Sequence, residues 1–202
     1  MTLFSVGFLT IFVYLGFWQL SRYEEKLVLI ADQQALATSP WQAPDDEMVT
    51  GTPIQLYGHY DPESLFLLDN RILKGVVGFE VLNVFFEEST AKRVLINRGF
   101  VPMGRDREDK PRIPALVESK VLYGHVYHPS APFLAGHPQA TAGPIVQTQQ
   151  PQVLVANQLA YPWVVRLRES DLNALPRNWP VTTILPEKHR AYAIQWFLMA
   201  AA

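Results

Sequence analysis

The sequence has 202 residues, of which 49% are hydrophobic and 18% are charged, and it carries a formal net charge of −2 with a pI near 6.2. The length accommodates one ordinary domain plus membrane segments, and the charged share lies below the roughly 25% of soluble domains, as in membrane proteins. No basic stripe or positive excess is present, which excludes a typical nucleic-acid-binding protein. Because there is no cysteine, disulfides, thiolate metal ligands, thiol catalysis and cysteine-linked haem are excluded as well.

An uncharged apolar segment, Leu3–Leu20, lies near the N-terminus, and Gln19 is its strongly polar residue. A helix of roughly 20 such residues crosses a bilayer core, and a backbone in lipid must be helical. We therefore expect a first transmembrane helix at residues 1–21; a cleaved signal peptide is disfavoured because no basic region precedes the run. The sequence after this run stays compatible with a helix, so we expect a helical stalk at residues 22–38. The stalk should end there because the residue before a proline, here Pro40, avoids the helical conformation.

The middle of the chain, residues 39–186, consists of short apolar runs separated by glycine and proline. Without long helical patterns between the runs, it is expected to form an antiparallel β-rich domain, barrel- or sandwich-like. A proline-rich stretch at residues 128–152 is expected to be a long irregular loop. The acidic pair Glu87-Glu88 is interpreted as a solvated loop end. The predicted strands are Ile54–Tyr60, Ser64–Leu68 (ending at a turn signal, Asp69-Asn70), Gly78–Phe86, Arg93–Asn97, Lys120–Tyr127, Trp163–Leu167 and Trp179–Leu185.

The C-terminal segment, residues 187–202, becomes apolar and alanine-rich after Arg190. Pro186 and Glu187 stand before it, as at a helix start. From Ala191 onward 12 residues remain, which are fewer than a bilayer-spanning helix needs. Two interpretations stay open: the start of a second transmembrane helix, which we favour, and a short docking helix.

Three segments of the chain carry recognisable motifs. Leu15–Arg22 with Lys26 matches the pattern Gly-x-Trp-Gln-x-x-Arg-x-x-x-Lys, and Val94–Pro102 is close to Val-Leu-Val-Asn-Arg-Gly-Trp-Val-Pro. His189–Phe197 is close to His-x-x-Tyr-Ala-x-Thr-Trp-Phe, and Gly75–Leu82 fits the approach to the second motif. In order and spacing, over nearly the whole chain, these segments resemble the Surfeit-locus-one family of cytochrome c oxidase assembly proteins.

The resemblance implies a membrane-anchored α+β protein with an N-terminal transmembrane helix, a β-rich outer domain and the start of a second transmembrane helix. It implies the bacterial inner (plasma) membrane, with the central domain on the periplasmic side, or the mitochondrial inner membrane if the protein is eukaryotic. The implied function is that of a non-enzymatic assembly factor for a haem–copper oxidase. Its implied partners are the catalytic subunit of the oxidase, haem a synthase and the lipid bilayer.

His189 is the sharpest candidate residue, because the family has been implicated in handling haem a and the histidine of the third motif is its proposed iron ligand. A neutral imidazole is chemically suited to that role. The alternative, an interfacial histidine that caps or anchors the helix, stays open. The other residues of this predicted haem site are Tyr192, Trp196 and Trp18 against the porphyrin, and Arg190 or Arg22 beside a haem propionate.

Asn97-Arg98-Gly99 in the second motif is interpreted as a buried structural network, with a partner-facing site as the alternative. Glycine permits backbone turns that other residues resist, and arginine can hold carbonyl oxygens or a carboxylate. Gln19 is expected to hydrogen-bond across a contact between the two helices.

Two other functions compete with haem handling. One is a haem-independent scaffold for oxidase subunits, and the other, less favoured, is a copper or zinc carrier. The candidate metal ligands for the carrier are His59, His125, His128 and His137. No metal centre is our expectation, and the sequence contains none of the usual hydrolase, phosphate-loop or zinc-helix motifs that would indicate an enzyme.

Overall fold

The computed structural model describes residues 2–104, 111–130, 143–155, 159–182 and 184–201. Contacts divide the chain into two compact units, one containing Met1–Ala35 with Trp179–Ala202 and the other containing Leu36–Asn178. The first unit holds two helices, and the second holds the strands. An N-terminal helix, a strand-rich body and a C-terminal helix were all predicted, and all three are present.

Helix α1 spans Thr2–Ala37, and helix α3 spans Pro186–Ala201. Helix α1 ends before Pro40, where Ser39 N donates to the carbonyl oxygen of Leu36 at 2.9 Å. Helix α3 carries Glu187 in its first turn, where an acidic side chain interacts favourably with the helix dipole. Among the described residues, neither helix combines the length and the apolar character needed to cross a membrane.

The second unit contains seven strands and one short helix. The strands are β1 (Pro53–Tyr60), β2 (Phe66–Leu73), β3 (Val76–Glu87), β4 (Lys92–Pro102), β5 (Val121–Tyr127), β6 (Ile145–Val146) and β7 (Ala160–Leu167), and helix α2 spans Pro151–Leu154. They form one sheet in the order β1-β5-β7-β4-β3-β2-β6, and a further pairing of β1 with the end of β3 closes the sheet on itself.

The sheet is mixed, because β4 pairs with β7 and β2 pairs with β6 in parallel. The prediction of an antiparallel domain is wrong at these two pairings. Alternation of apolar and polar residues reports the face that a side chain occupies, and it carries no information on the direction of the neighbouring strand.

Apolar side chains cover both faces of the sheet. Within the closed part, Trp163 is fully buried, stacks on Tyr161 at a ring distance of 4.4 Å, and donates from Nε1 to the Asp45 carbonyl oxygen at 2.9 Å. On the other face, α2 packs against β7, and Val146 of β6 and Leu154 of α2 belong to one apolar cluster with strand residues. Strand β4 is therefore covered on both faces, and nearly all of its residues are buried.

Three local predictions are wrong. Asp69-Asn70 lies within β2 as an irregularity between Leu68 and Arg71, with Asn70 at φ 58, because asparagine tolerates the left-handed conformation without ending the strand. Trp179–Leu185 contains no strand among its described residues, 179–182 and 184–185. The interpretation of Glu87-Glu88 as a solvated loop end is wrong for Glu87, which is fully buried and whose carboxylate accepts from Tyr57 N at 2.7 Å and from Ser89 Oγ at 2.6 Å, whereas Glu88 is exposed.

The predicted irregular loop at residues 128–152 contains regular structure in its described part. Ile145–Val146 forms β6, and the loop runs into α2 at Pro151. Residues 131–142 of the predicted loop lie outside the described residues.

Candidate functional site

Helices α1 and α3 pack against each other through aromatic side chains. Phe12 stacks on Trp196 at a ring distance of 5.8 Å, and Phe17 meets Phe197 edge-on at 5.3 Å. Phe12, Gly16 and Gln19 follow one another at helical spacing on α1, so they lie along one face. That face is the one that α3 covers.

Gly16 allows the two helices to approach closely. A Cβ atom at this position would lie 2.5 Å from the ring of Phe197. Ala193, the buried small residue of α3, has no exposed surface. Small residues let helix backbones come close together, which strengthens the van der Waals contact between them.

His189 and Gln19 form the polar contact of this helix pair, with His189 Nδ1 2.8 Å from Gln19 Oε1. An amide oxygen can only accept, so Nδ1 carries the proton and donates it. This is the cross-helix hydrogen bond that was predicted for Gln19, and the partner is the histidine of the third motif. The bond fixes both the orientation of the ring and its tautomer.

The other ring nitrogen, His189 Nε2, is buried and has no hydrogen-bond partner in the described structure. In a neutral imidazole whose Nδ1 carries the proton, Nε2 holds a lone pair. Metal-ligating histidines usually donate a hydrogen bond from one ring nitrogen, which leaves the lone pair of the other nitrogen for the metal. Burying such a nitrogen without a partner costs free energy, so this atom is the strongest indication of a binding role in the helix pair.

The predicted haem site is only partly brought together. His189 and Trp196 lie on the packed face, whereas Trp18 is 44% exposed and Tyr192 is 51% exposed. Arg190 is also exposed. Sequence reasoning left Gln19 out of the haem site, although a single strongly polar residue in an apolar helix was the available signal.

Arg22 is already engaged within α1. Its guanidinium lies 2.9 Å from a carboxylate oxygen of Glu25 and 5.9 Å from the centre of the Trp18 ring. The side chains of Arg22 and Glu25 are 44% and 50% exposed, so the pair contributes little to stability and can rearrange.

The second motif occupies a bulge in β4. Val81 pairs with Gly99 and Leu82 pairs with Asn97, which leaves Arg98 as the extra residue. Gly99 has φ 119, a conformation that glycine adopts readily and other residues do not. The bulge directs Arg98 inward, where its side chain is only 2% exposed.

The Arg98 guanidinium donates three hydrogen bonds inside the second unit. Its acceptors are the carbonyl oxygen of Asn173 at 3.0 Å, the carbonyl oxygen of Pro114 at 3.1 Å and Oδ1 of Asn83 at 3.3 Å. Burial lowers the pKa of Arg98, while the nearby Tyr60 and Asp171 act in the opposite direction. These contacts tie β4 and β3 to the segments that follow β4 and β7, so the geometry is that of a structural network.

Asn97 extends this polar network on the other side of β4. Its Nδ2 donates to Glu80 Oε2 at 2.8 Å and to Gln149 Oε1 at 3.4 Å, and its Oδ1 accepts from Gly99 N at 3.0 Å. Asn97 is fully buried. The side chains of Asn97 and Arg98 are thus both buried in contacts within the second unit.

The histidines proposed as metal ligands occupy separate places. His59 lies beside Glu88, His125 beside Trp41, and His128 Nε2 lies 2.6 Å from the carbonyl oxygen of Met48. His137 lies outside the described residues. Within the described ranges, no group of three potential metal-binding side chains comes together.

We expect the stability of the second unit to depend on pH through His125. Burial, together with the charges of Arg177 and Arg168, lowers its pKa from 6.5. Between the two pKa values, the unfolded chain binds a proton at His125 and the folded protein does not. The free energy of unfolding should therefore fall as pH drops from about 6.5 through the lower folded-state pKa. Urea unfolding between pH 7.5 and 5 should show a weaker pH dependence in His125→Gln than in the parent protein. An unchanged slope, or an equal change in the exposed control His59→Gln, would contradict this assignment.

Comparison with known families identifies the chain. The family model described as SURF1 family, the Surfeit-locus-one family, matches residues 6–201. No curated protein sequence matches the chain significantly. The family match covers both helices and the closed sheet, and it confirms the resemblance carried by the three motifs. The chain therefore belongs to the SURF1 family, which is linked to cytochrome c oxidase assembly.

Proposed function

We propose that this protein assists the assembly of a haem–copper oxidase by holding haem a at His189 for the catalytic subunit. Family membership supports the assembly role. The observation that carries the haem assignment is the buried, unpartnered Nε2 of a histidine whose Nδ1 is held by Gln19. If haem is bound, His189 would hold its iron through an imidazole nitrogen.

The residues of the helix pair suit such a cargo. Trp196 and Phe12 provide apolar surface next to the histidine-bearing face, and the exposed Arg190 is available for a propionate. Because Nε2 is covered, haem reaches it only after neighbouring side chains move aside. This suits a protein that holds its cargo briefly and passes it on.

Membrane attachment is part of the same proposal. Both helices carry large exposed apolar side chains, including Ile11, Phe17, Ile194 and Leu198. Apolar surface of this extent marks a contact with lipid or with another protein. In the proposed arrangement the helices lie in the bacterial inner membrane, or the mitochondrial inner membrane of a eukaryote, and Leu36–Asn178 lies on the outer side.

The same exposed surface favours one competing function, a haem-independent scaffold that binds oxidase subunits through helix contacts. Cells lacking their own copy of this protein distinguish the two. They are supplied with the parent protein, His189→Ala or Gln19→Leu, and assembled oxidase and its haem a content are measured. The adjacent exposed cation provides the control Lys188→Ala.

We expect His189→Ala to lose most of the assembled oxidase and Lys188→Ala to retain it. Gln19→Leu should weaken haem binding by about 10–100-fold, as loss of a hydrogen-bond partner does for metal-ligating histidines. Cells with this variant should therefore assemble less oxidase when haem a is scarce. Gln19→Glu keeps an acceptor and should restore function. Normal oxidase with His189→Ala, at normal protein levels, would favour the scaffold instead.

A further inference from the structure

A small polar pocket in the second unit has no part in the proposed haem function. Its volume is about 210 Å³, below the 300–1,000 Å³ typical of sites for larger organic ligands. It is too small for a porphyrin. The polar side chains that line it are Arg71, Tyr127, Ser130, Gln147, Thr148 and Gln149.

Two arginines and one carboxylate give the pocket a positive balance. Arg71 lines it, and the guanidinium of Arg166 lies 3.6 Å from the ring centre of the lining Tyr127. Glu80 lies 4.0 Å from Arg71 Nε and already accepts a hydrogen bond from Asn97 at 2.8 Å.

The charges of the two arginines act on each other. Burial lowers the pKa of Arg166, and the nearby charge of Arg71 acts in the same direction, against the opposing effects of Tyr127 and Glu80. An anion bound beside Arg71 would lessen this repulsion. The pocket thus has a physical reason to attract negative charge.

Potential hydrogen-bond donors also line the pocket. Arg71 Nε is buried and donates no hydrogen bond within the described structure. Gln149 is only 9% exposed, and its Oε1 accepts from Asn97, which turns its donating amide nitrogen away from Asn97. The hydroxyls of Tyr127 and Ser130 add two more potential donors.

We propose that this pocket binds a phosphate group, either free inorganic phosphate or the phosphate of an ester such as a lipid headgroup. A guanidinium group recognises the oxygens of phosphate through paired hydrogen bonds. The potential donors of the pocket come from β2, β5 and the segments that follow β5 and β6. The oxygens of a tetrahedral oxyanion point in several directions and can accept from donors that surround them, whereas the two oxygens of a carboxylate lie in one plane.

Calorimetric titration of the full chain in phosphate-free buffer tests the proposal. The ligands are inorganic phosphate, glycerol 3-phosphate and acetate, at ionic strength matched with sodium chloride. We expect saturable binding of inorganic phosphate, weakened at least tenfold in Arg71→Gln and weakened also in Tyr127→Phe, which keeps the ring beneath Arg166. Lys74→Gln removes an exposed charge from the turn after β2 and should bind like the parent protein.

Binding of glycerol 3-phosphate as well as inorganic phosphate would support the proposal and assign an ester as the natural ligand. Binding of inorganic phosphate alone would support it and assign the free anion. The proposal is overturned if no saturable binding occurs, if acetate binds as tightly as phosphate, or if Arg71→Gln and Lys74→Gln bind equally. Thermal unfolding without ligand confirms that each variant folds.

Discussion

Arg98→Met should destabilise the second unit by about 3–5 kcal/mol, because each buried acceptor left without its donor costs about 1–3 kcal/mol. The three acceptors are two backbone carbonyl oxygens and the side-chain oxygen of Asn83. Methionine fills much of the same volume and adds no clash, so the loss reports the missing hydrogen bonds. Denaturant unfolding followed by tryptophan fluorescence measures it, since Trp163 lies in the core of this unit.

The matched control is Arg93→Met on the same strand. Arg93 is partly exposed and lies 5.9 Å from the ring centre of Phe86, a contact worth about 0.5–1 kcal/mol. If the two variants lose similar stability, Arg98 does not hold the network that its geometry indicates. A variant at Arg98 that fails to fold while Arg93→Met folds normally agrees with the prediction.

Gly99→Ala should cost about 3 kcal/mol or more, because it combines backbone strain of about 1–3 kcal/mol with a steric clash. A Cβ atom there would lie 2.6 Å from the carbonyl oxygen of Leu175 and 2.7 Å from that of Pro176. The clashing segment cannot move freely, since Leu175 N donates to the Arg98 carbonyl and Phe100 N donates to the Pro176 carbonyl, each at 2.7 Å. Relief of the clash would therefore break the pairing beside the bulge.

Gly75→Ala separates the two contributions. Gly75 also has positive φ, at 82, but a Cβ atom there would meet no atom within 4 Å. It should lose only the conformational part, about 1–2 kcal/mol. Equal losses at Gly75 and Gly99 in a thermal unfolding experiment would show that the close approach of residues 175–176 contributes nothing.

The sequence predicted those features of the fold that depend on neighbouring residues. Proline at position 40 and the Pro186-Glu187 pair flank the observed helix ends, and short apolar runs between glycines and prolines located six of the seven strands. It could not reveal that β4 and β7 run parallel, since strand direction depends on the path of the whole chain. The short strand Ile145–Val146 was missed because two residues carry no periodicity.

For the candidate site, the sequence predicted the individual residues but not which of them meet. A lone glutamine in an apolar helix indicated a cross-helix hydrogen bond, and the motif histidine was the candidate ligand; their direct contact joins residues 170 positions apart. No local pattern encodes such a pairing. Exposed aromatic residues such as Tyr192 were grouped with His189 as apolar surface near the motif histidine, and nearness in sequence does not report which face of α3 the partner helix covers.

The central claim is that His189 holds haem a, and the absorption spectrum of the protein purified from cells that make haem a tests it most directly. The parent protein and Lys188→Ala should carry haem a, and His189→Ala should carry little, at equal yield and with unchanged unfolding of the second unit. Haem a bound equally by His189→Ala would remove His189 as the ligand. No haem in any of the proteins, while the oxidase still assembles through them, would contradict the claim and leave the scaffold as the function.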